Sequence, residues 1–533
     1  MKPGQILWYN AKFLTGDPSC PQADAVLTIG EAIAFVGSLE EARQKADPWV
    51  QSVNLKGGFA VPGFNDNHLH LVIHGDHVSA PDLSGLNENQ IVDRLKAYYN
   101  DKPHDTLVVG YAWDYPACPH PRKELLDEAF GSQPVLLPQF GGHGVWVNSR
   151  VLRDLGISRE VKPTPGVVLR DAEGEPTGVL REYHPNPVQD KYFHDIFYKK
   201  DLREARLATS LDVLRRLGIT SVQDNTWHYP ALFTLARWRN QRRLTARVSA
   251  WSFGRVPQTI KWMNLGSYDS LWLRRGPWKY FLDGTFTTKT AWMEEPYPGT
   301  DDHGMDFDPA WLQGVLLNLA RRKVQGAFHS IGDRSTRTFL DVWEDVLQKY
   351  PDAVKLRMRL EHVQALRRED IPRLKALGVC VAAQPPAMAT PEKDASVLGG
   401  HRVPFLYPHR SLLEAGVPLS FGSDIPGEAF CDPLQGMHLV CNREGPERLT
   451  PEQALRCYTE GSAYVEFQED RKGRLAKGYL ADFAVLTADP LATPPQNLRL
   501  IQCVKTVVGA RMVWNATQTD GLNPEIEEQL SKT

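Results

Sequence analysis

Two histidines one residue apart, His68 and His70, follow an apolar run in the segment VPGFNDNHLH, residues 61–70. We predict a short buried strand from Gly58 to Phe64 that carries both histidines out of its carboxyl end. Residues i and i+2 of a strand project to the same side, so both imidazoles can reach one ion. Because the chain contains 16 histidines, this pair alone is weak evidence for a metal site.

Four more residues with ligand or catalytic chemistry stand in a similar context farther along the chain. Each ends a short strand-like run and is followed by Gly, Asp or another turn signal. They are Lys279 in WKYFLDG, His329 in VQGAFHS, His362 in MRLEHV and Asp424 in PLSFGSD. This recurrence makes the histidine pair part of a candidate composite site.

The elements that must position these residues alternate between strands and helices. Segments such as Leu202–Leu217 and Trp311–Val324 have apolar residues near helical spacing. Short apolar runs lie between such segments, at 218–224, 247–252, 278–283, 324–330, 356–363, 379–385 and 418–424. Together with the first run they make eight strands, which predicts an α/β fold with a closed (β/α)₈ TIM barrel. His329 and His362 are 33 positions apart (362 − 329), about one strand-helix unit.

Two parts of the chain do not follow this rhythm. The 149 positions from His70 to Ile219 (219 − 70) exceed one loop and helix, so we predict an inserted α/β domain over residues 75–200, after barrel strand 1. Both chain ends have hairpin-like β segments, each too small to be stable alone. We predict one small β-sandwich from residues 1–57 and 475–533, with the barrel formed by residues 58–74 and 201–474.

Composition and charge argue against several classes of protein. A net charge of −3 and a pI near 6.6 give no sign of a nucleic-acid or membrane-surface partner. No apolar run approaches the roughly 18 residues that span a bilayer, and the amino terminus does not resemble a signal peptide. The seven cysteines are scattered without a Cys-X-X-Cys pair, which favours reduced thiols and a cytoplasmic protein.

Barrel geometry determines what the candidate residues can do together. Active sites of such barrels lie at the carboxyl ends of the strands, so the six residues should converge. Imidazoles with a carboxylate suit Zn²⁺ or a similar divalent ion. Such a metal lowers the pKa of its bound water to about 7 and polarises a carbonyl. Asp424 is the candidate catalytic base, because a carboxylate can take the proton of that water and deliver it to a leaving group.

Several motifs, taken together, resemble the amidohydrolase superfamily of metal-dependent hydrolases. The strand-end segments VPGFNDNHLH, HSIGD, EHVQ and FGSD carry the general likeness. Finer features resemble amidohydrolase family 3, the branch that includes N-substituted formamide deformylases. They are GYAWD (110–114), GGHGVWVNS (141–149), GEPTGVLRE (174–182), KYFLDGT (279–285), HSIGDR (329–334) and KGYLADFAVL (477–486).

This resemblance implies a ligand set and a cofactor. It implies one or two divalent metal ions, with Zn²⁺ preferred. His68, His70 and Asp424 would bind one metal, His329 and His362 a second, and Lys279 would be carboxylated and bridge the two. The reaction implied is hydrolysis of a C–N bond in an amide, formamide or related small molecule.

The resemblance also places a segment of the insertion near the substrate. His143, Trp146 and Trp113 are the candidate substrate-binding residues, although aromatic side chains more often build cores. A small-molecule substrate is expected, with no nucleic acid and no membrane. We also consider a homodimer, for which the sequence offers no specific residues.

Two other functions are compatible with this fold. A mononuclear deaminase of an aromatic heterocycle typically needs a glutamate shortly after the strand 5 histidine. The stretch HSIGDRS has Asp333 but no glutamate, which argues against that reaction. A non-catalytic scaffold of the same fold would have lost metal ligands, whereas every expected ligand type is present.

Overall fold

The structure is a computed structural model that describes residues 4–103, 106–160, 166–182, 194–226, 228–254 and 270–516. The strands are β1 (Gln5–Leu14), β2 (Gln22–Ile29), β3 (Ala32–Gly37), β4 (Gln51–Asn54), β5 (Phe59–Pro62), β6 (Phe64–Leu69), β7 (Val108–Val109), β8 (Val135–Pro138), β9 (Gly144–Val147), β10 (Val167–Arg170), β11 (Pro176–Arg181), β12 (Ile219–Asp224), β13 (Arg247–Phe253), β14 (Leu273–Phe281), β15 (Gly326–Ser330), β16 (Arg359–His362), β17 (Cys380–Ala383), β18 (Leu419–Phe421), β19 (Phe483–Leu486), β20 (Cys503–Val508) and β21 (Arg511–Asn515).

The α-helices cover the barrel and the insertion. They are α1 (Leu39–Lys45), α2 (Leu71–Val78), α3 (Glu88–Tyr99), α4 (Lys123–Phe130), α5 (Ser149–Asp154), α6 (His194–Tyr198), α7 (Lys200–Arg216), α8 (Tyr229–Asn240), α9 (Pro309–Arg322), α10 (Asp333–Lys349), α11 (Ile371–Ala376), α12 (Pro391–Leu398), α13 (His409–Ala415), α14 (Pro433–Asn442), α15 (Pro451–Arg456) and α16 (Ser462–Val465). Among the residues described, no helix is both long and apolar enough to cross a membrane.

Eight parallel strands form the barrel, which confirms the predicted (β/α)₈ architecture. Hydrogen bonding runs in the order β6-β12-β13-β14-β15-β16-β17-β18. The amide of Asp424 donates to the carbonyl of His68 at 2.6 Å, and the amide of His70 donates to Ile425 at 3.0 Å. These bonds join the first strand to the segment after the last one. Most barrel strands are buried along their whole length, as expected for a parallel sheet covered by helices.

The first apolar run is two strands rather than one, which corrects the predicted strand from Gly58 to Phe64. Strand β5 pairs with β1 and β19 in the terminal sheet, and β6 begins the barrel. Gly63 lies between them, and a β-carbon there would come within 2.1 Å of the Thr220 hydroxyl. Only glycine allows the chain to pass so close to β12.

Strands from both ends of the chain form one further sheet, in the order β21-β20-β19-β5-β1-β2-β3, with β4 pairing to β1. Its core combines residues far apart in sequence, among them Trp8, Phe13, Phe483 and Val507. A small β-sandwich was predicted from the two chain ends, and in the structure their strands form a single continuous hydrogen-bonded sheet. Residues 1–3 and 517–533 of the predicted unit lie outside the described residues.

The inserted segment has its own sheet, in the order β10-β11-β9-β8-β7. Its core contains Trp113, Trp146, Leu126 and Val179. The loop between β8 and β9, which carries His143, faces the carboxyl ends of the barrel strands. This insertion therefore supplies one wall of the candidate site. Residues 104–105, 161–165 and 183–193 of the predicted 75–200 domain lie outside the described residues.

We expect removal of either terminal part, residues 1–55 or 475–533, to destabilise the whole protein. Each truncation leaves half a sheet with open edges and exposes an apolar face. Each truncation also removes a partner of the buried Arg247 of β13, which binds Asp482 at 2.6 Å and Glu31 at 3.1 Å. Thermal unfolding of the truncated chains measures the effect. A soluble, monomeric and active chain of residues 56–474 would contradict this prediction.

Candidate metal centre

Three candidate ligands from opposite ends of the barrel sequence meet at its carboxyl edge. His68 lies in β6, His70 follows that strand, and Asp424 follows β18. The Nε2 atoms of His68 and His70 lie 3.4 Å and 3.3 Å from the Oδ1 atom of Asp424. One donor atom from each residue falls within 4.8 Å of the other two, a spacing that could hold one metal ion. Asp424 has a φ of 56°, a strained conformation of the kind found at functional sites.

His329 and His362 form a second pair of imidazoles beside this group. They lie at the ends of β15 and β16, with their ring centroids 4.3 Å apart. The His68 ring is 5.3 Å from that of His362. His329 Nε2 donates to the carbonyl of Gly284 at 3.1 Å, which leaves Nδ1 as the candidate ligand atom.

His362 provides the clearest sign that the site accepts a metal. Its Nε2 atom is buried and has no hydrogen-bond partner among the described residues. A buried polar atom without a partner costs about 1–3 kcal/mol, and an imidazole nitrogen satisfies this need by binding a metal. The residues present therefore fit a divalent ion.

The side chain of Lys279 in β14 extends to the same site as the candidate histidine ligands. Its side chain is 1% exposed, and its Nζ atom lies 3.5 Å from Nε2 of His68. Burial lowers the pKa of Lys279 to about 8, although Glu361 and Asp424 oppose this shift. The side chain is thus a buried amine between the two groups of candidate ligands.

The electrostatics of the site favour the ligand form of each side chain. Burial lowers the pKa values of His68, His329 and His362 well below their usual range, so these imidazoles are neutral. Burial raises the pKa of Asp424, but His68, His70 and Lys279 outweigh it and lower that pKa to about 2. Neutral imidazoles with an ionised carboxylate are ligands that zinc prefers.

A cavity of about 920 Å³, including its open mouth, lies above these residues. His143 of the insertion lines it, and the His143 ring centroid is 5.3 Å from that of His329. His143 Nδ1 lies 3.0 Å from the carboxylate of Glu182, which in turn accepts a hydrogen bond from Thr288. Although burial opposes it, Glu182 raises the pKa of His143.

The structure places two of the three predicted substrate-binding residues, Trp113 and Trp146, outside the wall of this cavity. Trp113 and Trp146 are both fully buried and pack edge to face, with centroids 6.0 Å apart. The Trp113 indole donates to the carbonyl of Leu137 at 2.6 Å. Both belong to the core of the insertion rather than to the cavity wall, because their large apolar surfaces are needed there.

Other residues of the site were missed by sequence reasoning. Glu361 binds Nδ1 of His68, Arg359 binds Glu361, and Glu182 binds His143. The alternation of Arg359 and Glu361 along β16 was the available signal, since it is the same i, i+2 rule that linked His68 and His70. Phe281 and Phe197 of the cavity wall had no such signal.

The fold and the residues at its strand ends are those of the metal-dependent hydrolase class. The chain belongs to the amidohydrolase family, described as "Amidohydro_3: Amidohydrolase family", whose model matches residues 51–514. The resemblance drawn from the motifs is therefore confirmed, and the protein is an amidohydrolase, an enzyme acting on carbon–nitrogen bonds.

Individual relatives span nearly the whole chain. The protein named "Putative amidohydrolase YtcJ" of Bacillus subtilis is 29% identical, covering 96% of this chain and 99% of its own. The N-substituted formamide deformylase of Arthrobacter pascens is 26% identical, covering 96% and 98%. A solved structure of an uncharacterized metal-dependent hydrolase from Pyrococcus furiosus is 26% identical with a TM-score of 0.72, covering 91% and 100%.

Proposed function

We propose that this protein hydrolyses the C–N bond of a small amide or formamide at a centre of two divalent metal ions, zinc being preferred. His68, His70 and Asp424 would hold one metal, and His329 and His362 would hold the other. The observation that carries the proposal is the meeting of His68, His70 and Asp424 beside the paired rings of His329 and His362, where the buried Nε2 atom of His362 has no partner among the described residues.

In this proposal Lys279 would be carboxylated and would be the ligand shared by the two metals. A neutral amine forms a bond to the carbon of CO₂ and releases a proton, which gives a carbamate with one negative charge and two oxygens. Burial lowers the pKa of Lys279 to about 8, so its amine loses a proton more readily near neutral pH than that of an exposed lysine. An ammonium would repel the metals, whereas the carbamate attracts them.

The chemistry then depends on Asp424. Bound divalent metal supplies Lewis-acid polarisation and lowers the pKa of a water molecule to about 7. The Asp424 carboxylate takes a proton from the attacking water, whose oxygen bonds to the substrate carbonyl carbon. Asp424 then delivers that proton to the nitrogen as the C–N bond breaks. The products are a carboxylic acid and an amine.

His143 binds the substrate in this mechanism. It lines the cavity close to His329, and Glu182 fixes the orientation of its ring. Because Glu182 raises the pKa of His143, this imidazole can donate a hydrogen bond to an oxygen or nitrogen of the reacting group. We assign it to positioning that group above the metals.

The cavity wall indicates the kind of substituent the substrate carries. Away from the candidate ligands the wall is largely apolar, with Ile73, Tyr111, Phe140, Phe197 and Phe281. Among the described lining residues the charged side chains are Lys279 and Asp424, apart from histidines. This favours an uncharged, apolar substituent on the amide, and the similarity to an N-substituted formamide deformylase supports a formamide.

Metal removal and a substrate panel test this function. We expect one to two equivalents of divalent metal per chain, loss of activity on chelation, and recovery on adding Zn²⁺. A panel of N-substituted formamides and amides should release carboxylic acid and amine. Ammonia released from a heterocycle instead would indicate a deaminase. Metal well below half an equivalent, with no activation on adding it back, would contradict the proposal.

A further inference from the structure

A buried network of charged side chains lies directly behind His68. Nδ1 of His68 is 2.8 Å from Oε2 of Glu361, and both side chains are almost fully buried. Arg359, also fully buried, donates to Oε1 of Glu361 at 2.6 Å through Nε and to Oε2 at 3.2 Å through Nη2. The guanidinium also donates to Gln223 at 2.5 Å and to the carbonyl of Asn67 at 2.9 Å.

We propose that Glu361 and Arg359 are positioning residues that set the metal affinity of the centre through His68. The inference rests on the proposed metal-dependent function. Because Glu361 is an acceptor, it fixes the proton of His68 on Nδ1 and leaves a lone pair on Nε2, the ring nitrogen that lies near Asp424 and Lys279. A carboxylate in this position orients a histidine ligand and increases its basicity.

The candidate ligands differ in this respect. Nδ1 of His70 lies 3.2 Å from the carbonyl of Asn225, and Nε2 of His329 lies 3.1 Å from that of Gly284. His68 instead has a carboxylate, and hydrogen bonds with an ionised partner are shorter and about twice as strong as neutral ones. The His68 ring is therefore held by a stronger hydrogen bond than either of these two carbonyls provides.

Arg359 fixes the position of the Glu361 carboxylate. Its fork occupies both oxygens of Glu361, so the carboxylate stays behind His68 and does not swing to the metal as a ligand itself. The pair adds no net charge to the barrel interior. The guanidinium also donates to the side chain of Gln223 in β12 and to the carbonyl of Asn67 in β6. These bonds fix Arg359 relative to the strand that carries His68.

Metal affinity of full-length variants tests this role directly. We would remove the metal with a chelator and titrate Zn²⁺ against a chromophoric competitor. Glu361→Gln keeps the size of the side chain but removes its negative charge. It also places an amide N–H group next to the N–H donors of His68 and Arg359. We expect its first zinc equivalent to bind about 10- to 100-fold more weakly, as for other such partners of metal-bound histidines. The visible spectrum of the Co²⁺-loaded variant should also change.

Arg359→Lys keeps the charge but not the fork, and should weaken zinc binding by a smaller factor. Arg247→Lys is the matched control, because Arg247 makes a similar buried fork to Asp482 away from the metal centre. It should lower thermal stability and leave zinc affinity unchanged. This comparison separates a role toward the metal from a role in folding.

The possible results distinguish failure of the positioning role from failure of the proposed metal-dependent function. If the parent chain binds zinc and Glu361→Gln binds it equally well with an unchanged Co²⁺ spectrum, the positioning role is contradicted alone. If the parent binds no zinc, the metal centre and this inference both fail. Should Glu361→Gln not fold, Glu361→Asp decides, because its shorter carboxylate should weaken zinc binding and equal affinity would overturn the inference.

Discussion

Asp424→Asn should reduce kcat by about 10²- to 10⁴-fold while the fold is retained, which is the usual contribution of a catalytic base. Asparagine has nearly the same shape and keeps one oxygen toward His68 and His70, but its amide does not accept the proton of the attacking water. The pKa of Asp424, about 2, means that the carboxylate is ionised throughout the neutral pH range. Single-turnover rates and metal content measured on the same preparations separate lost chemistry from lost metal.

Asp432→Asn is the matched control for this substitution. Asp432 caps helix α14 by accepting a hydrogen bond from the amide of Leu434 at 2.8 Å, and asparagine caps helices equally well. The same chemical change should therefore leave activity close to that of the parent. An Asp424→Asn protein with near-normal turnover would remove Asp424 from the mechanism.

Lys279→Ala should lose one or both metals and about 10²-fold or more of activity. The carbamate is the proposed bridge, and metal-ion catalysis contributes several kcal/mol, each 1.4 kcal/mol of which is tenfold in rate. Lys279→Met, which retains the length of the side chain without an amine, should behave in the same way. Elemental analysis and kcat of both variants measure the effect.

Chemical rescue distinguishes a missing bridge from a damaged fold. Short carboxylic acids or bicarbonate fit the space left by Lys279→Ala and can supply an anionic oxygen pair, so activity and metal content should partly return. The same additives should not restore Asp424→Asn. Full metal content and activity in Lys279→Ala without additives would show that Lys279 does not bridge metals.

The barrel was predictable because its local signals agree. Each strand from β12 to β18 is a short apolar run ending at a turn, and the long periodic helices α7 and α9 lie close to their predicted bounds. Parallel strands bring their carboxyl ends to one edge, so His329, His362 and Asp424 could be grouped although they are far apart in sequence. The fold rule, rather than any one motif, supplied that inference.

The first strand shows where local signals fail. The run around Pro62 is apolar on both sides of Gly63, so hydrophobicity alone does not separate β5 from β6. The separation depends on pairing with β1 and β19, whose sequence positions are near opposite ends of the chain. Such partners are a property of the tertiary structure.

The contacts of individual side chains were the hardest feature to predict. Trp113 and Trp146 are of a residue type that often lines binding sites, but both pack in the core of the insertion. Glu361 adjoins His362 in sequence yet binds His68 across the barrel, 293 positions away. Sequence periodicity identifies which face a side chain occupies, whereas its partner on that face depends on barrel closure.

Anomalous diffraction at the zinc absorption edge, from crystals of the zinc-loaded protein, locates the proposed metals directly. We expect two peaks at the carboxyl ends of the barrel strands, one beside His68, His70 and Asp424 and one beside His329 and His362, with density for a carboxylated Lys279 between them. A bare amine at Lys279 beside a single fully occupied metal would contradict the two-metal centre. An absence of anomalous density near these residues would contradict the metal-dependent mechanism itself.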